Sequence, residues 1–209
     1  MKRRQAENLR KRLLILGISI IVMGLATSIL RPIAFGSDPY TTVNMGIDRV
    51  TPISFGTAEL LVNGVLLIFV FFADRSQIGI GTLLNMLCIG YISDFFLWIW
   101  NSVFPSGVFE QPVVRYLLLP VGLILFILSC AGYMGAQLGV SAYDAIPVYL
   151  EKKLPQIPGR LIRMAWDWLF ILLGWAMGAS FGIVTILMAF LLGPTIAAVR
   201  GWFKKIHLV

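Results

Sequence analysis

The run LLILGISIIVMGLATSIL, residues 13–30, decides the fold. It carries no charged residue, and a helix needs roughly 20 mostly apolar residues to cross a bilayer core. The basic segment Met1–Arg12 precedes it. Arg31-Pro32 follows, where a secretory signal would show small residues and a cleavage site, so the run reads as a retained first helix. Working outward, comparable runs lie at 55–73, 80–100, 114–135, 160–178 and 182–199. The composition agrees. Of 209 residues 58% are hydrophobic and 13% charged, and the mean hydropathy is +0.87. Soluble domains carry about 25% charged residues, so this chain has too few to cover a water-facing surface. The expectation is one membrane domain over 1–209. It has a basic N-terminus at 1–12, a first half at 13–100, a second half at 114–199 and a basic tail at 200–209.

Lysines and arginines set the orientation. Fourteen of them, including Lys2, Arg12, Arg75, Lys152, Arg163 and Lys205, fall on one side of the six spans. Only Arg31, Arg49 and Arg115 fall on the other. The basic side is therefore cytoplasmic, and an even number of spans puts both termini there. Topology accounts for the basic tails, so a nucleic-acid partner is not expected. Trp98, Trp100, Tyr116 and Trp202 lie near span ends, as interfacial aromatics do, whereas Trp166 and Trp168 lie within the fifth span and pack there.

Chemistry-bearing motifs are sparse. The sole histidine, His207, is in the tail, and Cys88 and Cys130 sit singly in apolar runs as small buried hydrophobes. Neither a metal site nor a cofactor is expected. HExxH, GxSxG and nucleotide-loop motifs are missing, so the chain does not read as an enzyme.

A slide of 103 residues aligns the chain with itself without a gap. Gly36 meets Gly139, Tyr40 meets Tyr143, Gly56 meets Gly159, Gly79-Ile80 meets Gly182-Ile183, Thr82 meets Thr185 and Gly90 meets Gly193. Generic small-residue packing is the bland alternative, but matches in one register favour a repeat. Each half then holds three spans. An odd-span unit enters the membrane from opposite sides on its two passes, giving the inverted arrangement that recurs in secondary transporters.

Each half also has a polar connection after its first span. Half one carries Gly36-Ser37-Asp38-Pro39-Tyr40-Thr41-Thr42, and half two carries Gly139-Val140-Ser141-Ala142-Tyr143-Asp144. Asp38 is a good N-cap with Pro39 at the first helical position. Ser141 with Asp144 resembles a capping box. Short helices are expected over 39–49 and 142–153, with Pro147 straining the second. Each would be roughly 16 Å long, half of a roughly 30 Å hydrocarbon core. They are either re-entrant half-helices whose N-termini meet near the midplane or amphipathic helices in the interface. The fold class is thus an all-α membrane protein of six transmembrane helices as a 3+3 inverted repeat. Each half has a half-helix or interfacial helix after its first span.

Asp38, Tyr40, Thr41, Thr42, Asn44, Ser141, Tyr143 and Asp144 are candidate substrate-binding residues, since helix N-termini favour anionic groups. Glu59, Asn63, Asn85, Asp94, Arg163 and Asp167 are intramembrane polar residues and functional candidates by default. Glu59 is expected at the interface and Asp94 near water. Arg163 and Asp167 are spaced for an i,i+4 pair that neutralises a buried acid. Pro120 and Pro194 are candidate kinks.

These residues, with Ile-Ser-Phe-Gly-Thr at 53–57, Ile-Gly-Ile-Gly-Thr-Leu-Leu-Asn at 78–85 and Gly-Tyr-Ile-Ser-Asp-Phe-Phe at 90–96, resemble the YczE/YyaS/YitT family of bacterial membrane proteins. The YczE branch is the most similar, over nearly the whole chain. The resemblance implies a bacterial cytoplasmic-membrane location and supplies neither a substrate nor catalytic residues. The second half departs from the first, with Ser141-Ala142 for Asp38-Pro39 and Asp144 for Thr41, so any site is asymmetric.

The leading expectation is a transporter or permease-like protein for a small polar or anionic solute, embedded in the lipid bilayer. The alternative is a non-transporting membrane partner or regulator of a biosynthetic or signalling complex. A second copy of the chain or another membrane protein is compatible with either.

Overall fold

A computed structural model describes residues 2–205, so His207 lies outside the described residues, as does the packing at Gly193. The described residues form eight α-helices and no strand. These are α1 (Lys2–Leu30), α2 (Pro39–Val50), α3 (Phe55–Ala73), α4 (Ile80–Val103), α5 (Pro112–Ala136), α6 (Ala142–Lys153), α7 (Gly159–Ala176) and α8 (Ile183–Lys205). Each apolar run has its helix, and both short helices are present. Asp38 caps α2 by accepting the Thr41 N–H at 3.0 Å, and Ser141 caps α6 by accepting the Asp144 N–H at 3.1 Å. Helix α6 continues through Pro147 and α5 through Pro120. Around Pro194, α8 bends by 60° between Val184–Phe190 and Pro194–Phe203.

Among the described residues four helical stretches are long and apolar enough to cross a membrane: Leu9–Leu30, Phe55–Ala73, Ile80–Val103 and Pro112–Ala136. The bent pair in α8 raises the number to five. Helix α7 falls short of the expected sixth because Arg160, Arg163 and Asp167 share its 18 residues. The outward faces are apolar, with Leu14, Ile18, Val65, Phe72, Leu117 and Leu172 exposed. Such a belt suits lipid rather than water.

In lipid, helices gain little from hiding apolar surface, so close packing at small residues has to join them. Helices α1 and α5 pack antiparallel along each other. Gly122 lies under Leu30 and Gly132 under Ser19, where a Cβ would come within 2.7 and 2.4 Å of the facing side chains. Helix α3 meets α4 at Gly56 and Gly90, where a Cβ on Gly90 would lie 2.6 Å from the Gly56 Cα. Each short helix crosses to the other half of the chain, α2 packing against α7 and α6 against α3.

The inter-half contacts occur in matched pairs 103 residues apart. The Gly81 N–H donates to the Leu138 carbonyl at 2.8 Å, and the Val184 N–H donates to the Phe35 carbonyl at 3.3 Å. Arg12 Nε donates to the Ala136 carbonyl and Arg115 Nε to the Ile33 carbonyl, both at 2.7 Å. Arg12 thereby binds the last carbonyl of α5 and Arg115 a carbonyl in the turn just after α1, near helix C-termini where cations are favoured. Gly36 and Gly139 both have positive φ, +96° and +114°. There the Cβ-free backbone presses on Thr185 and Thr82 respectively.

Two of the charges expected in the spans are held by packing. Glu59 is 3% exposed, with α4 lying over it at the Gly56–Gly90 crossing. Asp94 keeps 25% of its side chain exposed and accepts from Arg31 at 2.8 Å and from the Gly56 N–H at 2.8 Å.

Candidate functional site

The N-terminal ends of α2 and α6 face each other across the interior. The Tyr40 and Tyr143 rings, one from each short helix, stand 5.2 Å apart. Around them lies a cavity of about 860 Å³, within the range of small-molecule sites. Asp38, Tyr40 and Thr41 line it from one short helix, and Ser141, Tyr143 and Asp144 from the other. Glu59 reaches it from α3, Asn85 from α4, and Arg160, Arg163 and Asp167 from α7. The rest of the wall is apolar and sulfur-rich, with Met23, Phe126, Cys130, Met134 and Met188.

Local structure fixes these side chains. Tyr40 Oη donates to the Glu59 carbonyl at 3.1 Å, which pins its ring against Tyr143. Tyr143 Oη donates to Asp167. Arg163 bridges α6 and α7, donating to Asp144 at 2.6 Å and to Asp167 at 3.2 Å. Its guanidinium carbon also lies 5.0 Å from the Tyr143 ring centroid, in range for a cation–π contact. The expected Arg163–Asp167 pair is therefore one arm of a network that also holds a short helix.

Six of the eight candidate binding residues come together at the cavity, and two do not. Thr42 donates to the Asp38 carbonyl at 2.8 Å and packs against Gly174 of α7. Asn44 Nδ2 donates to the Tyr40 carbonyl at 3.1 Å. Among the intramembrane polar residues, Asn63 is buried with no partner among the described residues on either side-chain polar atom, and it does not line the cavity. Asp94 belongs to a separate cluster with Arg31 and Asp48. Sequence reasoning missed Tyr133, whose buried hydroxyl has no partner among the described residues, and Arg160, which is exposed yet lines the wall. Arg160 carried a signal, as a cation at the start of a span, whereas nothing marked Tyr133 among the apolar residues of α5.

The anion reading of the two helix N-termini meets a physical difficulty. The Thr41 and Asp144 N–H groups that would greet an anion already donate to Asp38 and Ser141. Among the described residues there is no group of three or more His, Cys, Asp or Glu arranged to hold a metal ion.

The chain belongs to the family of unknown function DUF6198, whose family model matches residues 10–201. It is 24% identical over 188 residues to an uncharacterized protein of Haemophilus influenzae, covering 89% of this chain and 82% of that one. It is also 24% identical over 178 residues to the uncharacterized membrane protein YczE of Bacillus subtilis, covering 85% and 79%. The YczE-like resemblance read from the motifs therefore holds. No solved structure matches.

Proposed function

We propose that this chain is a transport protein of the bacterial cytoplasmic membrane that carries a small polar solute. It would be built from two inverted three-span halves, with both termini in the cytoplasm. The observation that carries the reading is the meeting of the α2 and α6 N-terminal ends in one cavity. Paired short helices meeting between repeats is how transporters place a site at the repeat interface. The contacts repeated at an offset of 103 residues support the repeat. The charges that keep α7 from reading as a span face the cavity, where intramembrane ions are tolerated, which supports counting it as the sixth. Movement would be rocking of one half against the other.

The test is uptake of candidate solutes into vesicles carrying the reconstituted full chain. The reading expects one small polar solute to accumulate, and Asp38→Asn and Asp144→Asn to reduce that uptake by at least about tenfold, as for loss of a buried charged contact. No uptake of any candidate, with both variants supporting normal cellular function, would overturn it. A stoichiometric membrane partner co-purifying with such an inactive protein would favour the regulator reading.

A further inference from the structure

We infer that the Glu59 corner of the cavity is a binding subsite for an organic ammonium ion. The inference rests on the same cavity as the transport reading and names the class of solute it takes.

The first observation is an imbalance of charge. Four carboxylates line the cavity, those of Asp38, Glu59, Asp144 and Asp167, against the guanidiniums of Arg160 and Arg163. Arg163 is shared by Asp144 and Asp167. Asp38 faces the N-terminal N–H groups of its own helix, which offset it. Glu59 has no hydrogen bond or ion pair on its carboxylate among the described residues, yet it is 3% exposed. Arg31, a cation of the same half with a buried side chain, is already engaged by Asp94 and Asp48. A buried carboxyl so placed is either protonated or paired, because burying an unpaired charge is expensive, and a cation in the cavity would pair it.

The second observation is independent of the acids. Tyr133 belongs to the wall of the same cavity, and its hydroxyl, closed off from the cavity space, has no hydrogen-bond partner among the described residues. Buried hydroxyls are rarely left so, and a ring shift toward the cavity would let this one accept from a ligand's N–H donor. The remaining wall selects the kind of cation. A hard metal ion wants six or more oxygen ligands, and the described residues hold no group of three or more His, Cys, Asp or Glu placed to supply a share of them. Methionine, isoleucine and phenylalanine side chains at Met23, Ile89 and Phe126 suit an alkyl or aryl body, and ring faces attract an ammonium head. The two helix N-termini oppose this less than bare ones would, since the Thr41 and Asp144 N–H groups donate to their own caps.

The experiment titrates the purified full chain in detergent with benzylammonium chloride, benzyl alcohol and sodium benzoate at fixed ionic strength, read by calorimetry. Benzylammonium should bind saturably, at least about tenfold tighter than either comparison compound, and Glu59→Gln should weaken it by at least about tenfold. Glu59→Asp should restore most of the binding, and the exposed Glu110→Gln should leave it unchanged. Benzoate or benzyl alcohol binding as tightly as benzylammonium would overturn the subsite, as would no benzylammonium binding or a folded Glu59→Gln protein that binds it normally. If Glu59→Gln does not fold, the order of the three probes on the unaltered protein decides. Benzylammonium binding without uptake into vesicles keeps the subsite and removes transport. Uptake of a different solute without benzylammonium binding removes the subsite and keeps transport.

Discussion

Arg31 and Arg163 each hold two carboxylates, but the Arg31 side chain is 8% exposed and that of Arg163 is 37% exposed. Arg31 joins Asp94 of α4 to Asp48 of α2 and lies over the Phe55 ring, 4.0 Å from its centroid. All of these residues belong to the first half. Arg163 joins Asp144 of α6 to Asp167 of α7, all in the second half, on the cavity wall. Backbone contacts obey the 103-residue offset and these clusters do not. The positions matching Arg31, Asp48 and Asp94 are Met134, Glu151 and Ala197, and those matching Arg163, Asp144 and Asp167 are Leu60, Thr41 and Gly64. A duplicated scaffold thus carries one cluster that locks a half and another that faces the site.

Replacing Arg31 should cost the most. Arg31→Met leaves two carboxylates without their cation and should destabilise by about 3 kcal/mol, the low end for breaking a buried pair because Asp48 is partly solvated. Denaturant unfolding in detergent checks this, and an Arg31→Met loss no larger than that of Arg163→Gln would break the contrast.

The duplicated backbone comes next. Gly36→Ala forces a side chain onto a positive φ and places its Cβ 2.2 Å from Thr185 Oγ1, so a loss of about 2 kcal/mol is expected. Gly139→Ala, against Thr82 at 2.6 Å, should cost a similar amount. Thr185→Gly should return part of the Gly36→Ala loss, since it clears the contact but not the φ strain. Unequal costs at the two glycines would show how far the scaffold itself is asymmetric.

Arg163→Gln should separate stability from function. Its ion pairs are partly screened, so about 1 kcal/mol of stability is expected to go. Solute uptake should fall by at least about tenfold, because Asp144 and Asp167 lose their shared partner at the site.

The smallest effect belongs to the surface. Lys152 donates to Asp74 at 2.7 Å and ties α6 to the end of α3. The Lys152 hydrogen bond, helped by Ser76, holds the Asp74 carboxyl below the usual carboxylate range. A carboxyl lowered on folding contributes stability above its unfolded value, near 3.9 for aspartate in general, and loses that contribution as pH falls toward the folded value. Thermal midpoints of the parent and Lys152→Gln proteins should differ slightly at neutral pH and converge in acid.

Much of the scaffold was legible because it rests on local chemistry. The apolar runs gave the helices, Asp38-Pro39 and Ser141 gave the starts of α2 and α6, and the glycine register gave the pairs at Gly36 and Gly139. The site was half legible. Caps announce where a helix begins, so Asp38, Ser141 and Asp144 could be found from sequence. Thr42 and Asn44 carry the same residue chemistry but turn back onto their own helix, and no spacing distinguishes that. The burial of Glu59 was not legible, because the Gly56–Gly90 crossing decides what covers it. The Arg31–Asp94 tie joins residues 63 positions apart, and the unpaired Tyr133 hydroxyl depends on which helices surround it. Both are properties of packing, not of pattern.

The account stands on α2 and α6 meeting N-terminus to N-terminus inside the protein. Its most direct test is cross-linking of Tyr40→Cys with Tyr143→Cys in the full chain, in native membranes, with Cys88 and Cys130 replaced by alanine. The account predicts an intramolecular cross-link with the shortest bifunctional thiosulfonate, and none when either new cysteine is absent. If the pair does not cross-link while an impermeant thiol reagent labels the two positions from opposite membrane faces, the short helices lie in the two interfaces and the account is contradicted.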